Sequence, residues 1–343
     1  MTTVADRETL LKSGAGFALA GLVIYLFGRV LGWAAVTETL GEADPRWIAA
    51  GAASTLLCLG TWTGSWQRVL AGVGVRIPWS SLVVDYYAAT FVNYVTPLGR
   101  TSGAPVSAYV LSTDHRAPYR EALATVATVS TFNVAPMLTF AGVGALAVAR
   151  RGDVPGEVTP FLAAIGGLCV ALPLLALVLW HQSERVVGTV TRAATWLSAR
   201  TSHVDPTGIE RRVTEFFLLL DRFGNARWRL VELFVLSYVG WTLFAAPMWF
   251  AAKALGVHLD PLLVAFVVPT STLASVVPTP GGVGGVEAAI VGLLTGLTGV
   301  SAATAGAIAL LYRLSGYWFV IAVGGLAALR VGARSSHEPH DVH

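Results

Sequence analysis

The chain has 343 residues, 55% of them hydrophobic and 13% charged, with a formal net charge of +3. Its apolar residues come in long blocks rather than at amphipathic spacing, which describes a polytopic membrane protein and leaves no room for a large soluble domain. The arginines are scattered through loops without a basic run, so nucleic acid is not an expected partner.

The first hydrophobic block, 13–33, is long enough to span and lacks a convincing cleavage site, so it reads as a retained helix rather than a signal peptide. Loop 34–46 sets Glu38, Glu42 and Asp44 against Arg46, and a second span follows at 47–67. Region 80–112 is two short apolar pieces joined by the break Thr96-Pro97-Leu98-Gly99. Asn93, Tyr94, Thr96 and Arg100 surround that break, and Asn93 and Arg100 are the residues chosen for head-group contacts. Asp85, Tyr86 and Tyr87 precede it. The tyrosines read first as interfacial aromatics, whereas Asp85 either snorkels to the cytoplasmic side or joins the polar interior.

Further spans are expected at 121–149 and 160–181. The polar stretch 182–229 carries apolar residues at helical spacing, which fits two amphipathic helices on the cytoplasmic face, or an extension of the preceding span into water. A span at 230–251, a second broken region at 261–298 and a last span at 303–329 complete the set. Cys58 and Cys169 each fall within a predicted span and suggest neither a disulfide framework nor a metal site. His337, His340 and His343 read as part of a short polar tail rather than as metal ligands.

Arginine placement orients these segments. The stretch 182–229 holds eight arginines and is placed inside, with Arg68, Arg76, Arg116, Arg120, Arg330 and Arg334. Both termini are then cytoplasmic, and loop 34–46 lies outside. Arg150 and Arg151 fall on the wrong side of this scheme. The first broken region enters and leaves from inside, the second from outside.

Residues 13–149 and 160–329 thus read in the same order, span, span, broken hairpin, span, from opposite sides. The expected fold is all-α, a single membrane domain of six full spans and two broken re-entrant hairpins in an inverted-topology repeat. The two breaks share the pattern T-P-x-G, at Thr96 to Gly99 and Thr279 to Gly282. Broken helices of this kind meet near the midplane of transporters and line the substrate site. The alternative is a pair of tight loops at the membrane surface.

The second break, Val277 to Ile290, carries Pro278, Pro280, Gly281, Gly282, Gly284, Gly285 and Glu287. Its glycines allow a close backbone approach, and the half-helix that follows offers amide groups and a positive dipole end to an anion. The lysine and hydroxyl residue of a nucleotide-binding loop are missing, so ATP is not expected to bind, and no cofactor is expected. Glu287 is costly in a membrane unless paired or hydrated, and Arg313, the charge inside the last span, is its expected partner. Two roles are open: an ion pair that clamps two helices, or a phosphate held by Arg313 with Glu287 in a proton or gating role.

These residues resemble the flippase-like membrane proteins related to the transmembrane region of lysylphosphatidylglycerol synthases. The carrying motif is P-x-P-G-G-x-G-x-x-E, present from Pro278 to Glu287, followed by Arg313, Tyr317 and Trp318. An earlier motif is matched by Asn93, Pro97, Gly103 and Tyr109 to Leu111, with Ala104 where that motif usually has glutamate. The resemblance implies membrane lipids as partners, lipid-linked phosphates among them, and a soluble synthase or glycosyltransferase as a possible further partner. The expected function is a lipid flippase or transporter in the cell membrane rather than an enzyme. A membrane-embedded group transferase and a non-catalytic subunit are the rivals.

Overall fold

The computed structural model describes residues 25, 33–96, 99–113, 117–150, 159–181, 227–276 and 279–335. The first predicted span, the two predicted amphipathic helices, the histidine tail, Pro97 and Pro278 lie wholly or almost wholly outside these. The described residues form helices α1 (Trp33–Gly41), α2 (Pro45–Gly72), α3 (Trp79–Val95), α4 (Gly99–Thr113), α5 (Tyr119–Arg150) and α6 (Thr159–His181). There follow α7 (Arg227–Ala254), α8 (Pro261–Leu273), α9 (Gly285–Thr298), α10 (Ala302–Arg313) and α11 (Phe319–Ser335). No strand occurs among the described residues.

Helix starts follow from local chemistry. Asp44 and Asp260 cap α2 and α8 by accepting the amides of Arg46 and Leu262, each with proline at the first helical position. Ser301 caps α10 through the Thr304 amide at 3.1 Å.

Helices α2 and α7 form the central antiparallel pair. The Asp44 amide donates to the Ala254 carbonyl at one end, and Arg68 pairs with Glu232 at 3.0 Å towards the other. α2 is polar for a buried helix, and its side chains find backbone partners. Pro247 cannot donate to the Leu243 carbonyl one turn back, and Ser54 Oγ fills that place at 2.8 Å. Cys58 donates to the Gly240 carbonyl at 3.3 Å.

The predicted breaks are real. α3 and α4 form one hairpin, tied near its tip by Asn93 Nδ2 donating to Ser107 Oγ at 2.8 Å. Ile77, before α3, and Ala117, after α4, share one core cluster, so this hairpin returns to the end at which it began. α8 and α9 form the other hairpin, with Leu259 and Leu294 in a common cluster at the opposite end. The four hairpin helices hold 17, 15, 13 and 14 residues, roughly 20–25 Å each against about 30 Å of hydrocarbon.

Each hairpin leans on the helix that ends the other part of the chain, α3 on α11 and α8 on α5. Glycines permit both contacts, Gly324 facing the Tyr87 carbonyl and Gly144 facing Leu262 and Phe266. Four helical stretches are long and apolar enough to cross a membrane: Tyr119–Arg150, Trp228–Ala254, Pro280–Thr298 and Ala302–Val331. The third reaches that length only by including the turn before α9. α6 turns Ile165, Leu168, Leu172, Leu174 and Leu175 outward, a face suited to lipid.

Candidate functional site

The hairpin tips meet at the short turn Pro280–Gly282, which touches both α3 and α4. Gly281, Gly282 and Gly284 have φ of 59°, 66° and 91°. At Gly281 the absent side chain makes room for the Tyr317 ring, and at Gly282 for Ser275. The sequence suggested glycines that open space for a ligand; the neighbours they admit are other parts of the chain.

Glu287 and Arg313 are both buried, at 2% and 7% exposure, and joined by Arg313 Nε donating to Glu287 Oε1 at 2.8 Å. Glu287 Oε2 accepts the Gly284 amide at 2.7 Å, so the carboxylate sits at the N-terminus of its own helix α9. The anion position expected there is thus filled by the protein itself. Arg313 Nη2 donates to the Gly281 carbonyl at 3.0 Å, and the guanidinium lies 4.0 Å above the centre of the Tyr317 ring. One carboxylate, one carbonyl and one aromatic face therefore hold the arginine.

Tyr317 carries the contact across to the first hairpin. Its ring stacks on Tyr94 with centroids 5.3 Å apart, and its hydroxyl donates to the Tyr94 carbonyl at 3.3 Å. It lies in a π-helical turn, Leu314–Trp318, between α10 and α11, a local widening common at functional sites. Within that turn the Ser315 carbonyl accepts Thr55 Oγ1 of α2 at 2.9 Å. Thr55 and the π turn had no sequence signal beyond a hydroxyl in a span and an ordinary helical stretch.

A cavity of about 40 Å³ opens beside Arg313, room for roughly one to three waters. Thr55, Tyr94, Thr272 and Arg313 are among its polar lining, and Leu59, Trp62 and Phe244 among its apolar lining. This is too small for a lipid head group as it stands. Among the described residues no group of histidine, cysteine, aspartate or glutamate could hold a metal ion.

Of the first-hairpin residues, Thr96 terminates α3 and Gly99 opens α4, with Arg100 in its first turn. The Arg100 side chain is outside the described residues. Gly103 packs against Asn93, where an added Cβ would stand 3.4 Å from Oδ1. Asn93 and Gly103 thus knit the hairpin together. Pro280 is buried at the head of the turn and Gly285 begins α9. Asp85 is fully buried, which removes the snorkelling alternative, and Tyr86, half-buried, packs edge-on against Trp66 with ring centroids 4.7 Å apart.

Residues 14–324 match the family described as the lysylphosphatidylglycerol synthase TM region. The chain is 24% identical to a UPF0104 membrane protein of Methanothermobacter thermautotrophicus, over 94% of this chain and 95% of the relative. A UPF0104 membrane protein of Pyrococcus horikoshii is 22% identical over 88% and 92%. Glycosyltransferase AglD of Haloferax volcanii is 24% identical over 94% of this chain but only 55% of its own length. With a match along nearly its whole length and several long apolar helices, this chain belongs to the lysylphosphatidylglycerol synthase TM region family and is a membrane protein.

Proposed function

We propose that this protein is a lipid flippase, moving a phosphate-bearing head group across the membrane while the acyl or prenyl chain stays in lipid. The observation that carries this reading is the convergence of Arg313 Nε and the Gly284 amide on a single carboxylate where two oppositely directed hairpins meet. A phosphate oxygen is the same kind of acceptor for both donors. The head group would take the place of Glu287 on Arg313, and the displaced carboxylate would need a proton or another cation. Glu287 is therefore the candidate coupling group, and no chemical step is required of the protein.

The packing of α3 on α11 and α8 on α5, around the central pair α2 and α7, supports reading 13–149 and 160–329 as inverted halves. Rocking of such halves about a shared site exposes it alternately to each side. The 40 Å³ cavity is then an occluded form that widens when Glu287 lets go. The substrate class is a polyprenyl-phosphate sugar or a modified phospholipid. The basic end of the bundle, with Arg68 and Arg76, is placed in the cytoplasm of the cell membrane.

A second reading rests on the match to glycosyltransferase AglD, which places a segment similar to this chain within a longer protein. On that reading the chain is a membrane subunit for a soluble synthase or glycosyltransferase. Reconstitution into liposomes with labelled phosphatidylglycerol and a labelled polyprenyl-phosphate sugar tests both. Protein-dependent movement of label between leaflets without new product is the expected result. New product would identify a transferase, and neither movement nor product would leave the subunit reading.

A further inference from the structure

Where α2 gives way to α3 a second cavity opens, of about 410 Å³, far larger than the one beside Arg313. Leu70, Ile77 and Leu82 are buried behind its wall, and its accessible apolar lining is Ala71, exposed, and Val75, half-buried. Its rim carries Gln67, Arg68 and Arg76. Arg68 uses Nε on Glu232 at 3.0 Å and Nη1 on the Gly64 carbonyl at 3.3 Å. Arg76 is exposed and is paired with no described residue. Two guanidiniums against one carboxylate leave the rim net positive.

The depth of this cavity follows from its neighbours. Trp79, Tyr119 and Trp228 stand exposed by 46%, 45% and 70% at the starts of α3, α5 and α7, with the exposed arginines Arg120 and Arg229 next to the last two. Tryptophan, tyrosine and arginine gather at the level of lipid head groups, where a ring or an alkyl stem meets the apolar side and the polar tip meets water. The mouth of the cavity therefore lies at that level.

We propose that this cavity is a docking site for one anionic phospholipid. The phosphate is held by Arg76 and the unused face of Arg68, while the first acyl methylenes lie against Ala71 and Val75, the apolar lining residues that keep accessible surface. Free phosphate would satisfy the rim and leave Ala71 and Val75 uncovered, and a zwitterionic lipid would bring a cation to an already positive rim. The bound lipid would brace the junction between α2, which carries Thr55 and Trp62 to the central cavity, and α3, which carries Tyr94. This site does not depend on what Arg313 holds.

Native mass spectrometry of the full chain in a non-ionic detergent, titrated separately with short-chain phosphatidylglycerol, phosphatidylcholine and inorganic phosphate, tests it. The expected result is a phosphatidylglycerol adduct that neither other ligand matches. It should weaken on the order of tenfold in Arg76→Glu, and similarly in Ala71→Phe, which fills the cavity and leaves both arginines in place. Equal uptake of phosphatidylcholine or of inorganic phosphate would overturn the proposal, as would an adduct undiminished in both variants.

Discussion

Gly281 lies so close to the Tyr317 ring that a side chain on Gly281 would run into it. Its φ of 59° also belongs to the left-handed region that disfavours a Cβ. The same ring carries Arg313 at 4.0 Å and stacks on Tyr94, so this glycine controls a contact that runs from one hairpin tip to the other.

Gly281→Ala should accordingly cost about 1–3 kcal/mol through backbone strain, with a further loss as Tyr317 is pushed away. Gly292→Ala, at a helical position where an added Cβ meets nothing within 4 Å, is the control. Thermal unfolding in detergent should show a clearly lower Tm for the first than for the second. Equal midpoints would mean that the turn adapts and that Tyr317 is not held by it.

What the sequence made legible was the pair of hairpins. Proline and glycine at 96–99 and 278–285 break the apolar pattern at positions that helices cannot ignore, and the observed helices begin and end within a few residues of the expected limits. The Glu287–Arg313 pair was legible because two charges in apolar surroundings must find each other. Glu287 as the cap of its own helix was written in the Gly284-x-x-Glu287 spacing, but that spacing also suits an amide left free for a ligand. The stacking of Tyr94 on Tyr317 joins residues 223 positions apart, and no local pattern encodes such a distance. The π turn was hidden as well, because Leu314 to Trp318 contains nothing that forbids an ordinary helix.

Gly144 sits where α5 meets α8, and an added Cβ would stand 2.6 Å from the Leu262 carbonyl and from the Phe266 amide nitrogen. Both of those atoms are backbone, which cannot rotate away. Gly144→Leu should therefore push α8 outward and destabilise the protein by roughly 1–3 kcal/mol. It should also disturb the site, since α8 carries Thr272 to the central cavity. Gly167→Leu, at an exposed position on α6 with nothing within 4 Å, should leave the Tm near that of the unaltered chain. A Gly144→Leu protein as stable as this control would rule out close packing of the hairpin on α5.

Glu287→Gln replaces the carboxylate by a neutral group of nearly the same shape. The amide oxygen can still accept from Gly284 or Arg313, which offsets part of the cost of leaving Arg313 unneutralised, so the variant should reach the membrane with a lowered Tm but destabilised less than Arg313→Ala. What it loses is the charge that neutralises Arg313 and the ability to take up a proton. Head-group movement in liposomes should fall by an order of magnitude or more, because a neutral side chain weakens the exchange between carboxylate and phosphate. Movement at the unaltered rate in a correctly folded Glu287→Gln protein would remove the coupling role.

Replacing both members of the pair separates its two roles. Removing one partner of a buried ion pair leaves a charge uncompensated and costs about 3–5 kcal/mol, whereas replacing both by apolar residues of similar size is often neutral or stabilising. Arg313→Ala alone should thus be strongly destabilised, its Glu287 left without its cation at 2% exposure. The double variant Glu287→Met with Arg313→Met should recover most of that stability, limited by the unpaired Gly284 amide and Gly281 carbonyl it leaves behind. It should nevertheless fail to move lipid phosphates, since no cation remains to receive one. A stable but inactive double variant assigns the pair to transport. A stable double variant that transports normally would show that Glu287 and Arg313 only clamp α9 to α10.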